Sequence, residues 1–300
     1  MTYDVLVHGP LFCDLIFTDL PDMPQAGTEI FAGQFTIAIG GSAIVAVGLQ
    51  KLGAKVGLIA DIGNDPLSHL TANLLDDLHI DRTLIREHPH ALTQLTVALS
   101  FPQDRAFITR FEKPEAPANL ADILHDYPTR HLHMSSFLSV FDAPDACRIA
   151  HEAGTTISMD PGWDETALRD PRLHHMMTEL DYFMPSRSEL CFMMDEVNYE
   201  QALEKALGQM KQGAIVMKNG AEGAIARGNN LYEFASPMPV TPVDTTGAGD
   251  AFDAGFLYAL TQDYDMQTCL RYGAICGALT TTVIGGATGT PSLEEVQKWL

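Results

Sequence analysis

The stretch GGSAIVAVGLQKLGAKVGLIADIGND, Gly40 to Asp65, decides the fold. Ahead of it, Ile30 to Ile39 (IFAGQFTIAI) is β-rich. The Gly40-Gly41 pair breaks that run, and SAIVAVGLQKL follows as an apolar helix with Gly53 in the position of a C-terminal cap. The strand KVGLIADIG comes next. Strand, glycine turn, helix, short loop and strand make a β-α-β unit, which implies a parallel sheet with right-handed crossovers. A glycine pair at a strand end also lets the backbone approach a ligand closely, at the edge where open α/β sheets bind their ligands.

Toward the N-terminus, Tyr3 to His8 (YDVLVH) reads as a short buried strand. After Gly9-Pro10, LFCDLIFTDL carries a second one, which puts Asp14 near a strand end. Beyond the central unit, TQLTVALSFPQDRAFITRFE reads as two alternating strands joined at Pro102-Gln103-Asp104, a hairpin inside an otherwise α/β chain. With the β-rich segments near Phe17 and Phe31 it makes a small separate sheet. Further strand-like runs end at Asp160 to Gly162, Tyr182 to Pro185 and Ala214 to Lys218, with a helix over Asn198 to Met210. The last helix, SLEEVQKWL, opens with a capping box of Ser292 and Glu295. No repeat and no low-complexity linker interrupts the 300 residues, so one main domain is expected.

The chain has 39 acidic and 18 basic residues, a formal charge of −21, and no Lys/Arg cluster. Nucleic acid and anionic membranes are therefore not expected partners. Because salt screens beyond roughly 8 Å, a nucleotide held by local amides and a divalent cation is not excluded. Five scattered cysteines without C-x-x-C spacing fit reduced thiols. The N-terminus lacks a basic leader, and no apolar run reaches about 18 residues, so a cytoplasmic, unprocessed chain is expected.

A second motif, VDTTGAGDAFDAGF (Val243 to Phe256), carries the chemistry. Amides of a glycine-rich turn at a helix start converge on an anion, and the helix dipole adds about half a positive charge. Gly247, Ala248 and Gly249 can thus cradle a phosphoryl group, with Asp250 placed to accept the proton of an attacking hydroxyl. The competing structural role is that Asp250 merely caps the helix. The motif is not a G-x-G-x-x-G dinucleotide fingerprint, and the chain has no G-K pair for a P-loop. His131, His133, His174 and His175 lack metal-ligand spacing and read as structural or exposed.

The two motifs, in this order and across nearly the whole chain, resemble the ribokinase-like (PfkB-type) carbohydrate kinase family. The resemblance implies a three-layer αβα core with a mainly parallel central sheet and a small β lid, here segments of about 12–39 and 93–112 of a single domain spanning 1–300. It implies ATP- and Mg²⁺-dependent phosphorylation of a hydroxymethyl group. Asp250 matches the family's base and Gly247, Ala248 and Gly249 its anion hole. Asp14 matches the acid that binds substrate hydroxyls, with Gly40 and Gly41 beside it. Lys218 with Gly220 and Gly223 resembles the strand-turn flanking the nucleotide, although Lys218 reads equally as a solvated strand-end cation. Asp244, Thr246 and the late loop containing Gly285 resemble the monovalent cation site, for K⁺, that many members use.

Departures from the family pattern bear on the substrate. Val45 stands where members usually have asparagine, removing one polar contact to a sugar. The N-x-x-E segment tied to Mg²⁺ and phosphate appears as Ser186-Arg187-Ser188-Glu189. Asp164 in MDPGWDE stands where sugar-acid kinases tend to have arginine. The expectation is a cytoplasmic ATP-dependent sugar kinase. The alternatives are a nucleoside kinase, with Val45 facing a base, and a non-catalytic ligand-binding relative. An oxidoreductase using NAD(P) is disfavoured by the missing fingerprint. Exposed lid strands favour a homodimer.

Overall fold

Strands buried on both faces build the centre of the molecule. The computed structural model describes residues 2–101 and 105–300, in which nine strands form one sheet and four form a second. In chain order the strands are β1 (Tyr3–His8), β2 (Leu11–Thr18), β3 (Gln34–Gly41), β4 (Val56–Ile62), β5 (Ile85–Glu87), β6 (Leu95–Ser100), β7 (Arg105–Arg110), β8 (Thr129–Met134), β9 (Thr156–Met159), β10 (Tyr182–Phe183), β11 (Ala214–Lys218), β12 (Ala224–Gly228) and β13 (Leu231–Ala235). The large sheet runs β13-β12-β11-β10-β9-β8-β1-β4-β5. It is parallel from β5 through β11, with β12 and β13 added antiparallel at one edge.

Side-chain alternation on β1 divides the core. Val5 and Val7 pack with the helices Ser42–Leu52, Ala248–Thr261 and Met266–Thr280, whereas Leu6 faces the layer that includes Ala146–Glu152, Pro171–Met177 and Arg187–Met194. Helices on both faces leave the sheet's strand ends as its exposed polar edge. The Ser42–Leu52 helix ends at Gly53 with φ +97°, the left-handed cap expected from the sequence. The Ser292–Glu295 capping box also forms.

Two expectations change. The β-α-β unit does not begin with the 30–39 segment: β3 belongs to the small sheet, and the parallel partner of β4 is β1. Gln34 to Ile37 are exposed, unlike an interior parallel strand, so this run crosses away from the large sheet. Asp14 lies in the middle of β2, not near its end. The small sheet runs β3-β2-β6-β7, antiparallel except for β2 beside β6. Strands β6 and β7 pair as the predicted hairpin, while its proposed joint, 102–104, lies outside the described residues.

Candidate active site

The period of two along β2 gives its residues opposite tasks. Ile16 joins Ala38 of β3 and Ala98 of β6 on a buried inner face, and Asp14 shares that face, while Leu15 and Phe17 point the other way. Asp14 is buried, and its carboxylate lies over the glycine pair. A Cβ placed on Gly40 would sit 2.2 Å from Asp14 Oδ2, and one on Gly41, at φ +65°, would sit 2.3 Å from the Pro10 carbonyl oxygen. Only glycine leaves room for both contacts. Val45, one turn into the next helix, has no exposed surface and belongs to the hydrophobic core. It therefore contributes packing, and the expectation that it faces a ligand is not met.

Across from Asp14, the Ala248–Thr261 helix begins at Gly247 in the left-handed conformation, φ +72°, without a side-chain cap. Asp250 is in its first turn and does not cap it, so the capping role considered for it is excluded. The Gly247 and Gly249 amides have no acceptor among the described residues, which leaves donors open at a positive helix end. Burial, followed by the negative charge of Asp160, raises the Asp250 carboxyl to about 7, with Lys218 pulling the other way. Burial and then the charge of Asp250 raise Asp14 to about 7 as well. The two carboxylates thus face one site closely enough to repel, and both titrate near neutrality.

Beneath this pair lies a second polar group. A Cβ on Gly249 would stand 3.6 Å from Lys218 Nζ and 4.0 Å from Asp160 Oδ2, which puts this group directly against the glycine turn. Lys218, at the end of β11, is neither solvated nor open to a ligand: it donates to Asp160 Oδ2 at 2.6 Å and to Asp253 at 3.2 and 3.3 Å. Although burial disfavours its charge, the Asp160 and Asp253 carboxylates hold Lys218 protonated. Burial works against the Asp160 charge, but Lys218, together with hydrogen bonds from Asp253 and the Gly162 amide, keeps that carboxyl low. Fully buried Asp253 is pushed the other way, well above the carboxylate range, by burial and by Asp160. His133 Nε2 lies 3.9 Å from Asp253 and has no hydrogen-bond partner among the described residues, while His133 Nδ1 and His131 Nε2 share the Ser158 hydroxyl at 2.8 and 2.7 Å. Burial lowers both imidazoles to about 3, so they are neutral structural groups.

The remaining predicted residues gather at the same edge. Ser186 caps the Arg187–Met194 helix, with Glu189 Oε2 accepting from the Ser186 amide at 2.6 Å. Serine is thus committed to a capping box, and burial followed by repulsion from Asp160 raises Glu189. Ser186 also bridges to Lys218, and Gly220 and Gly223 form the turn from β11 into β12. On the far side of the glycine turn, Asp244, Thr246 and Gly285 converge: Asp244 accepts from the Thr246 amide and hydroxyl at 2.9 and 2.7 Å and from the Gly285 amide at 2.9 Å.

Asp160, Asp253 and Arg105 are the polar residues near the site that sequence reasoning missed. Asp253 is fully buried and ion-paired. Its signal was there, since an acid in the otherwise apolar AFDAGFLYAL needs a partner.

Comparison with known proteins agrees with this fold. A model of the pfkB family carbohydrate kinases matches residues 4–293. A fructokinase of Vibrio alginolyticus is 26% identical over 280 residues, covering 87% of this chain and 91% of the relative. Two solved structures share the fold. The ribokinase of Arabidopsis thaliana complexed with ribose and ATP has a TM-score of 0.84 and 21% identity, over 99% of this chain and 98% of the other. A ribokinase II of E. coli in complex with ATP and Mg²⁺ has a TM-score of 0.82 and 24% identity, over the same shares. With a family match over nearly its whole length and a fold to go with it, the chain belongs to the pfkB family of carbohydrate kinases.

Proposed function

We propose that this chain is an ATP-dependent kinase that phosphorylates a hydroxymethyl group of a neutral sugar, with Asp250 as the general base. The observation that carries this reading is the placement of Asp250 in the first turn of an uncapped helix, beside unoccupied Gly247 and Gly249 amides and opposite Asp14. Asp14 orients a substrate hydroxyl under the small sheet, which serves as a lid over residues of about 12–39 and 93–112. Asp250, ionised in a large fraction of molecules at neutral pH, takes the proton of the attacking hydroxyl. The Gly247 and Gly249 amides stabilise charge on the transferring group, the Ala248 amide being turned to the Thr245 carbonyl, in a positioning and electrostatic mechanism without a covalent intermediate.

Nucleotide phosphates fit the same edge, bounded by the helix start and the Gly220–Gly223 turn, and two structures of this fold are solved with ATP bound. Among the described residues no cluster of three or more metal-ligating side chains forms. Mg²⁺ would therefore rest on nucleotide oxygens and water with one or two carboxylates, the usual arrangement for this ion, Glu189 and Asp160 being the acids at hand. Bound there, it would offset phosphate charge. Lys218 supports this edge from below by fixing Asp160 and Asp253 and does not itself contact phosphate.

The outer face of the small sheet suggests a partner. Leu15, Phe17, Phe35, Ile37, Val97 and Ile108 align across four strands, with Phe35, Ile37 and Ile108 exposed. A second copy covering this face makes a homodimer, and Ile108→Glu should convert it to monomers in light scattering. Five unpaired cysteines, four of them buried, suit a cytoplasmic setting.

The test is ADP release by purified protein with MgATP over neutral sugars, sugar acids, phosphosugars and nucleosides. Turnover with a neutral sugar is expected. Exclusive turnover of nucleosides would replace the sugar reading, and ligand-induced thermal shifts without any ADP would make the chain a binding protein.

A further inference from the structure

The Asp244 loop does not present the donor set that a monovalent cation needs. A carboxylate offers about four lone-pair sites. Asp244 Oδ1 accepts from the Thr246 amide, the Thr246 hydroxyl and Arg105 Nη1, the last at 3.4 Å, and Oδ2 accepts from the Gly285 amide. Three donors therefore crowd the two sites of Oδ1, and one donor takes a site of Oδ2. The Thr246 hydroxyl, donating to Asp244, also accepts from Arg105 Nη1 at 2.9 Å. Asp244 Oδ1 and Thr246 Oγ1 already face a guanidinium.

Arg105 reaches this place through the pleat of the small sheet. It opens β7 and shares the parity of Phe107, whose neighbour in β6, Ala98, lies on the inner face. Its guanidinium lies over the Phe107 ring, 5.4 Å from the centroid, which keeps the side chain extended inward. Only a quarter of that side chain is exposed, against a twentieth for Asp244, so this is a partly desolvated pair joining the small sheet to the loop ahead of the Ala248–Thr261 helix. Three residues beyond Asp244 the chain enters the Gly247–Gly249 turn.

We propose that Arg105 is the resident cation of the Asp244–Thr246–Gly285 loop, doing from within the chain what a bound monovalent ion would do, so that activity is independent of K⁺. The proposal rests on the kinase reading above for its activity arm but not for its binding arm. Arginine stays charged at all working pH values and is covalently part of the lid, so the loop is charged and held whenever the small sheet is seated. No ion need be taken up before turnover.

The experiment uses the full chain, Arg105→Gln and Arg105→Lys, in KCl or tetramethylammonium chloride at equal ionic strength. Thermal unfolding of the parent should not distinguish the two salts, whereas Arg105→Gln should gain a K⁺-specific rise in Tm. In ADP release the parent should run equally in both salts. Arg105→Gln should lose about ten- to a hundredfold, the value of a charge-assisted contact, with K⁺ or guanidinium restoring part of it. Arg105→Lys keeps the charge and should stay closer to the parent; it also serves if the glutamine variant does not fold, since its shorter reach should leave room for a measurable K⁺ response. A parent that K⁺ stabilises or activates severalfold overturns the proposal. So do variants as indifferent to K⁺ as the parent. If no substrate yields ADP the kinase reading falls, and the Tm comparison still decides the role of Arg105.

Discussion

Asp250 and Asp253 stand one turn apart on one helix and live in different worlds. Asp250 faces the cleft opposite Asp14, with no cation bonded to it and open amides beside it among the described residues, and it titrates near 7. Asp253 points into the molecule, fully buried, held by Lys218 and pushed toward its neutral form. The helical period leaves the two carboxylates only about 60° apart, so it is burial and partners that separate them. The lesson is that the same side chain is a base where water and substrate reach it and a strut where they do not.

The comparison is broken most severely at the exposed end. Asp250→Asn keeps shape and removes the proton acceptor, so kcat should fall about 10²- to 10⁴-fold, the usual worth of a general base. Steady-state ADP release measures this, and unchanged turnover would refute the assignment. Next in size is the buried end. Lys218→Met leaves Asp160 and Asp253 without their cation, and breaking a buried pair from one side costs about 3–5 kcal/mol, to be read from denaturant unfolding. In whatever folded variant remains, the acid limb of kcat/KM should move to higher pH, because Lys218 favours the ionised form of Asp250.

How far this division was legible in the sequence depends on the range of each interaction. The Ser42–Leu52 helix with its Gly53 cap, the Ser292 capping box and the Gly247–Asp250 turn are local, written in neighbouring residues, and they stand as expected. Strand pairing is not local: β3 has the composition of a strand whichever sheet it joins, and only its pairing with β2 shows that it leaves the large one. The site divides in the same way. Asp14 and Asp250 were findable because their motifs carry them, whereas Asp160, Lys218 and Asp253 meet from three separate elements. An acid inside an apolar helix signals that a partner exists without naming it. Likewise the alternation of β7 gives Arg105 a face, but not the loop it reaches.

A weaker perturbation is pH. Asp14 and Asp250 bind protons more tightly in the folded chain than in the unfolded one, where aspartate titrates near 3.9. Between about pH 4 and 7 the unfolded state holds fewer protons, so their contribution to stability is fully present below about 4 and is lost as pH rises through about 7. Tm should therefore fall from pH 5 to 8 more steeply in the parent than in an Asp14→Asn, Asp250→Asn double variant. Equal slopes would mean that these carboxyls are not shifted. In activity the same groups act in the opposite sense, since kcat/KM should rise through a limb near pH 7 as Asp250 ionises.

The smallest effect sharpens the contrast most. Asparagine resembles a protonated carboxyl in shape and keeps a donor, so at Asp253, already held neutral, Asp253→Asn should preserve the contact to Asp160 and leave Lys218 paired with that residue. Stability should change by about 1 kcal/mol or less, the net value of one hydrogen bond, and kcat should stay within a few-fold of the parent. The identical substitution one turn earlier is the one that abolishes the base. If Asp253→Asn instead proved as damaging as Asp250→Asn, Asp253 would have to be ionised in the working enzyme, and the buried group would belong to the chemistry as well as to its support.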